Sequence, residues 1–460
     1  MIAMPLSRIA AMTGGRVVGD DMVVDVVGTD TRDMPAGRAL FIALKGERFD
    51  GHEHVAMAAR NGAVAALVSR EVGHAIPQLI VADTEQALAA FAAAVQRERR
   101  TRVVAITGSN GKTSVKTLVL SILREAMPGE GGVYANPGNR NNEIGLPLAV
   151  LEAPEHARFA IYEMGAGKPG DIAYLTAIAR PDIAVVNNIA PAHLERMGSL
   201  LGVADTKGAI YDALPADGVA VINADDAFAP YFAERAHGRR LIRFGLDATA
   251  DVTAHAIELD AESARFVLST PLGEVDVDLA MPGRHNVMNA LAAASIALGA
   301  GVELDAIAAG LGAARPVHGR LVTHRLPNGA VLIDDSYNAN PGSLNAAIDT
   351  LASSGDTAWL VLGDMRELGA DAELLHAEAG RRAKQAGIAR LYALGPLSRH
   401  AVEAFGEDGH HFATHAALAD ALRGGLREGV RVLVKGSRGS AMDRIVSALL
   451  PDEGNDPHAA

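Results

Sequence analysis

Short apolar runs, rich in β-branched residues, recur along this chain, and most of them end in polar clusters. Residues 103–106, Val-Val-Ala-Ile, read as a buried strand. After a glycine-bearing loop, Val115, Leu118, Val119 and Ile122 fall at helical spacing. Strands are predicted over 23–27, 39–44, 64–68 and 78–81, with helices over 54–61 and 85–97. Further on, 159–162, 183–186 and 219–222 read as strands, and 200–214 as a helix. Between 252 and 279 the pattern alternates and is broken by turn residues at 260–263 and 271–273, which predicts an antiparallel addition. A helix over 287–298 follows, then strands at 331–333, 359–362, 391–394 and 430–434.

Two breaks divide this pattern. Arg97-Glu98-Arg99-Arg100 is a charged interruption, and 313–319 is a second, giving units 1–100, 101–314 and 315–460. Strands alternating with helices make the second and third units α/β with parallel sheets. Ligands of such sheets bind at the carboxyl ends of strands. Those ends here are Glu163-Met164-Gly165, Asn187-Asn188, Asn223-Ala224-Asp225-Asp226 and Asp334-Asp335-Ser336-Tyr337-Asn338. The third unit has no phosphate loop and no Gly-x-Gly-x-x-Gly, which argues against a dinucleotide site.

The chemistry concentrates at Thr107-Gly108-Ser109-Asn110-Gly111-Lys112-Thr113-Ser114, between strand and helix. Glycines let backbone N–H groups turn inward, and the following helix adds partial positive charge. Lys112 is placed for β- and γ-phosphates and the Thr113 hydroxyl for Mg²⁺. The usual pattern has a glycine where this chain has Ile106, so the loop is a shortened form; an ordinary strand-to-helix turn is the alternative. Net charge is −13, which disfavours general nucleic-acid or anionic-membrane binding. The absence of cysteine excludes disulfides, thiolate metal sites and a cysteine nucleophile. No basic-then-apolar leader opens the chain and no apolar run is long enough for a bilayer, so a cytoplasmic enzyme is expected.

With these motifs assembled, the chain resembles the Mur ligases, the ATP-dependent amide-bond enzymes of peptidoglycan precursor synthesis, over nearly its whole length. The carriers are Asp30-Thr31-Arg32, the loop at 107–113, Tyr162-Glu163-Met164-Gly165-Ala166, His193, Lys207-Gly208 and Gly283-x-His285-Asn286-x-x-Asn289. The shortened loop is that family's form. Asn141-Asn142-Glu143-Ile144-Gly145, Asp334-Asp335-Ser336-Tyr337-Asn338-Ala339-Asn340-Pro341 and Leu362-Gly363-Asp364-Met365 are most similar to the branch that joins D-alanyl-D-alanine to UDP-N-acetylmuramoyl-tripeptide. The Asp-Asn-Pro-Arg motif of the ligases that add the third residue is absent.

The resemblance implies three domains, with a central P-loop ATPase-like parallel sheet and a C-terminal Rossmann-like domain. It implies ATP, two Mg²⁺ ions and a monomer that binds neither nucleic acid nor membrane. It assigns Lys112, Glu163, His193 and Lys207 to catalysis, and Thr113, Glu163, His193 and Lys207 to metal, with Lys207 carbamylated. ATP falls to the loop residues Thr107, Gly108, Ser109, Asn110, Gly111, Lys112, Thr113 and Ser114. Asn289 takes adenine, Asp335 ribose and Arg320 phosphate. Thr31, Arg32 and Lys45 take the UDP end, Asn141 and Asn142 the sugar-peptide, and Tyr337, Asn338 and Asn340 the dipeptide, with 435–438 nearby.

Read alone, these residues carry plainer meanings. Lys207 is then a solvated helix lysine, His193 a loop or core histidine, Asn286 a helix cap and Arg320 a linker salt bridge. Asp335 is a turn or cap, and Asn141-Asn142 a polar turn. Three other identities stay open: a third-residue Mur ligase, a folylpolyglutamate synthase, or a nucleotide-binding scaffold without catalysis. Two hinges between three domains imply closure on ligand binding.

Overall fold

The computed structural model describes residues 1–47, 49–73, 76–129, 131–191, 194–353 and 357–451. The first sheet has five strands, ordered Arg16–Val18, Gln78–Ile80, Ala63–Val68, Ala39–Ile42, Val26–Gly28; all pair in parallel except the Arg16–Val18 edge. The single strand predicted over 23–27 is two. Val23–Val24 pairs with Met4–Pro5, while Val26–Gly28 joins the sheet. The break falls at Asp25, whose carboxylate accepts the Arg38 N–H at 2.7 Å. Helix Leu6–Thr13 was not predicted; only Leu6 and Ile9 of it are buried, too short an apolar stripe to register as a period.

The central sheet has six parallel strands in the order Arg240–Phe244, Val219–Asn223, Ile183–Val186, Arg102–Thr107, Phe159–Glu163, Val133–Ala135. Arg102–Thr107 is the middle of the fold, buried on both faces apart from Arg102. A parallel strand covered on both sides must be nearly all apolar, and this one is. Helices Lys112–Ala126 and Arg284–Ala300 cover one face, and the three-stranded antiparallel sheet Thr253–Leu259, Ala264–Thr270, Gly273–Leu279 packs there too. The other face shares one apolar cluster with the first hundred residues: Phe91 and Val95 of helix Thr84–Glu98 belong with Val103, Tyr162 and Ile172.

The last sheet runs Val322–Arg325, Val331–Asp335, Val430–Lys435, Thr357–Gly363, Arg390–Leu394, Gly409–Phe412. It departs from the all-parallel expectation in one strand: Val322–Arg325 forms an antiparallel hairpin with Val331–Asp335. That edge strand is only half-buried, which is why no buried-strand pattern marked it. Two apolar clusters line this sheet's two faces, both drawn from residues after 320. Among the described residues no helix is long and apolar enough to cross a membrane.

Candidate active site

The site begins where strand Arg102–Thr107 turns into helix Lys112–Ala126. Gly111 makes the turn in the left-handed region, at φ +78°. A Cβ there would meet Asn289 Oδ1 at 2.3 Å and Asn187 Nδ2 at 2.4 Å, so conformation and space both require glycine. Thr107 lies beneath the loop, its hydroxyl donating to the Met164 carbonyl at 2.9 Å. Ser109 donates to the Ala190 carbonyl at 3.0 Å, and Lys112 Nζ to the Gly108 carbonyl at 2.7 Å across the loop. Burial is the main influence lowering the Lys112 pKa.

Two cavities open on either side of Lys112. The first, about 350 Å³, is lined by the loop from Ser109 to Lys112, Ser114, Asn289, Arg320 and Asp335, with Tyr337, Asn338 and Asn340. The second, about 500 Å³, is lined by Gly108, Asn141, Asn142, Glu163, Lys207 and Arg196 among others. Ser109, Lys112, Arg320, Tyr337 and Asn338 border both. The Arg320 guanidinium lies 4.6 Å from the Tyr337 ring centre, a cation–π contact in place of the linker salt bridge. Asp335 is buried and accepts from Lys435 Nζ at 2.6 Å; burial raises its pKa against the pull of that lysine. Asn286 is not a cap: Gly283 precedes the helix, and Asn286 donates to the Pro282 carbonyl from inside the first turn.

Glu163 ends its strand at the floor of the second cavity and is 3% exposed. Its carboxylate accepts from Thr113 Oγ1 at 2.8 Å and Asn141 Nδ2 at 2.9 Å, and Lys116 Nζ stands 3.4 Å away. Burial pushes the carboxyl up, but Lys112, Lys116 and the Thr113 bond together bring it below the ordinary range, so it is ionised. A hydroxyl and a carboxylate side by side suit one hard cation. Lys116 was missed by the sequence reading. Its place one turn after Lys112 and three residues after Thr113 was the available signal.

Lys207 sits on helix Leu200–Asp212, capped by Ser199 Oγ on the Gly202 N–H. It is 2% exposed, not a solvated lysine, and lines the second cavity. Burial, with Lys112 nearby, lowers its pKa to about 7. His193 lies outside the described residues.

Thr31, Arg32 and Lys45 border neither cavity. Asp30 takes three hydrogen bonds from Arg32, which hold its carboxyl at about 2. The Thr31 carbonyl accepts from Asn61 at 2.7 Å, and Lys45 is exposed and bridges backbone-to-backbone with Asp50.

Residues 23–106 match the description "Mur ligase family, catalytic domain", 106–297 "Mur ligase middle domain" and 319–438 "Mur ligase, glutamate ligase domain". The UDP-N-acetylmuramoyl-tripeptide–D-alanyl-D-alanine ligase of Escherichia coli K12 is 44% identical over 452 residues, covering 98% of this chain and 99% of its own. Crystal structure I of MurF from Acinetobacter baumannii superposes with a TM-score of 0.91 at 33% identity, over 98% and 99% of the two chains. MurF ligase from Thermotoga maritima in complex with ADP superposes at 0.83 with 26% identity, over 93% and 97%.

Proposed function

The chain belongs to the Mur ligase family, and from that premise we propose that it joins D-alanyl-D-alanine to UDP-N-acetylmuramoyl-tripeptide at the cost of one ATP. The observation that carries this reading is the placement of Lys112 on the wall between two cavities, one bordered by the phosphate loop and Asn289, the other by Glu163 and Lys207. A ligase of this kind needs a nucleotide on one side of a transferring phosphoryl group and a carboxylate acceptor on the other.

A carboxylate is a poor acyl donor because oxide is a poor leaving group. The peptide carboxylate attacks the γ-phosphorus of ATP, ADP leaves, and the acyl phosphate forms. The dipeptide amine adds to its carbonyl and loses a proton. The tetrahedral intermediate collapses to the amide as phosphate departs. Lys112 takes the β- and γ-phosphates in this reading and offsets the charge of the transferring group. Arg320, stacked on Tyr337, borders both cavities and serves the same charge from the opposite wall. Asn289 meets adenine and Asp335 the ribose.

Mg²⁺ bound by Thr113 and Glu163 would neutralise charge between the phosphates. A second ion falls to His193 and Lys207. An ammonium offers no lone pair, so Lys207 serves there as a carbamate, formed by CO₂ with the neutral amine. Burial without a hydrogen-bond partner among the described residues, and a pKa of about 7, support that role. Asn141, bonded to Glu163, and Asn142, which caps the Gly145 N–H at 2.8 Å, lie on the sugar-peptide path. Thr31, Arg32 and Lys45 hold the UDP end, and Tyr337, Asn338 and Asn340 the dipeptide. The enzyme is a cytoplasmic monomer in this reading, divided at about 100 and 314.

Phosphate release is measured with ATP and Mg²⁺, adding UDP-muramyl-tripeptide and D-alanyl-D-alanine singly and together. Release only with both, and a product heavier by the dipeptide less water, is the expected result. Release with another acceptor or amine would reassign the substrates.

A further inference from the structure

Five asparagines are hydrogen-bonded in succession along the wall of the first cavity, through their side chains except at Asn110, which takes one link on its carbonyl and the next on Oδ1. Asn286 Nδ2 donates to the Pro282 carbonyl (2.8 Å) and Asn289 Nδ2 to Asn286 Oδ1 (3.1 Å). Asn187 Nδ2 donates twice, to Asn289 Oδ1 and to the Asn110 carbonyl, both at 3.0 Å. Asn340 Nδ2 donates to Asn110 Oδ1 at 2.7 Å, and Asn340 Oδ1 ends the run by accepting the Ser343 N–H at 2.9 Å. The run thus joins helix Arg284–Ala300, the end of strand Ile183–Val186, the phosphate loop and the start of helix Pro341–Ala352.

We infer that Asn187 and Asn340 are positioning residues which couple occupancy of the adenine end of the cavity to docking of helix Pro341–Ala352 on the phosphate loop. The inference rests on the placement of adenine at Asn289 given above. Asn289 and Asn340 each use the amide nitrogen toward one neighbour and the oxygen toward the other, and Asn187 Nδ2 serves both of its neighbours, so turning any of the three over breaks links on both sides. Asn187, Asn286 and Asn289 are all buried, where an unmade link finds no water to replace it. Consecutive amide bonds also polarise and strengthen one another. The run fastens the phosphate loop at Asn110 from both sides, by Asn187 on its carbonyl and by Asn340 on its Oδ1, and so gives the physical contact that coupling between the two sites requires. Gly111 presses on the same two amides, since a Cβ there would strike both Asn187 and Asn289. At the other end, a Cβ on Gly342 would stand 3.2 Å from Asn110 Nδ2, a tight contact that glycine avoids. A base seated on Asn289 orients the run at one end, and the docked helix reads it at the other. Adenine recognition is then expressed in kcat as well as in binding.

The test is a double-mutant cycle with Asn187→Ala and Asn340→Ser. Serine keeps the helix cap but does not reach Asn110, so the cap and the link are separated. With both peptide substrates saturating, each single change is expected to lower kcat about tenfold and leave KM for ATP within about threefold, and the double variant to fall no more than about threefold below the lower single. A double variant down by the product of the singles, about a hundredfold, would overturn the coupling. A loss confined to KM for ATP would overturn it too, making these residues nucleotide contacts only. Melting the four proteins with and without Mg-ATP reads the same cycle without turnover. The ATP-induced rise in Tm should be smaller in all three variants than in wild type and equal among them; additive reductions would sink the inference. Wild type that gains Tm with ATP but shows no turnover would fail the reaction assignment alone.

Discussion

At the scale of single residues, burial of ionisable groups sets the chemistry. Lys207 is an amine near its neutral point at physiological pH, poised beside a cavity. With ¹³C-bicarbonate, a carbamate carbon signal should appear in the wild-type protein and be missing from Lys207→Met, whose ligase activity should fall at least about a hundredfold. His285, half-buried in the first cavity, is held at about 4 by burial and by Lys435. Its unfolded form takes up a proton below about 6.5, before the folded form does. Stability is therefore lost as pH falls from about 6.5 towards 4, and melting curves of His285→Gln should show a weaker decline over that window. Asp50, His52 and Ser69 imitate a charge-relay triad, with His52 Nδ1 on Asp50 and Nε2 3.0 Å from Ser69 Oγ. The Ser69 backbone N–H, at 2.8 Å, already occupies the Nε2 lone pair, so the imidazole clamps two loops and is not free as a base.

At the scale of elements, the functional loops are placed by close backbone approach. Helix Leu304–Ala313 crosses helix Lys112–Ala126 at Gly310, where a Cβ would stand 2.4 Å from Ile122 Cα. Gly310→Ala should cost up to about 2 kcal/mol in urea unfolding, because the roughly 1 kcal/mol that alanine returns in helix propensity only partly offsets overpacking of about 1–3 kcal/mol against backbone. Gly111→Ala adds left-handed strain to a clash with two amides, and calorimetry should show ATP binding lost while the fold persists. This scale is also where reading the chain succeeds and fails. The strands 159–163, 183–186 and 219–223 were legible because a doubly covered parallel strand is an apolar run, and so was the glycine loop between strand and helix. Short or edge elements such as Leu6–Thr13 and Val322–Arg325 were not, since they bury too few residues to leave a period. Asn187 was visible as a polar strand end, but its partners Asn110 and Asn289 lie 77 and 102 residues away, and no local pattern records such a meeting.

At the scale of the molecule, apolar contact is unevenly shared. The first hundred residues keep one small cluster of their own around Phe41 and share a larger one with one face of the central sheet, whereas the residues after 320 supply two clusters and share neither. A hinge at the 100 boundary would have to open that shared cluster, so closure on ligand binding is expected at the 313–319 linker. Small-angle scattering should show compaction with an ATP analogue and the UDP-muramyl-peptide, and calorimetry two unfolding transitions, with 1–314 melting as one. The shared cluster also has a consequence for biosynthesis. Helix Thr84–Glu98, which carries much of that face, packs on helices Gly145–Glu152 and Asp171–Ala179, so the part of the chain that leaves the ribosome first must wait for roughly eighty further residues before this face is covered. The last third completes its core from its own residues as it emerges, so the nascent N-terminal segment is the one expected to need protection from aggregation during synthesis.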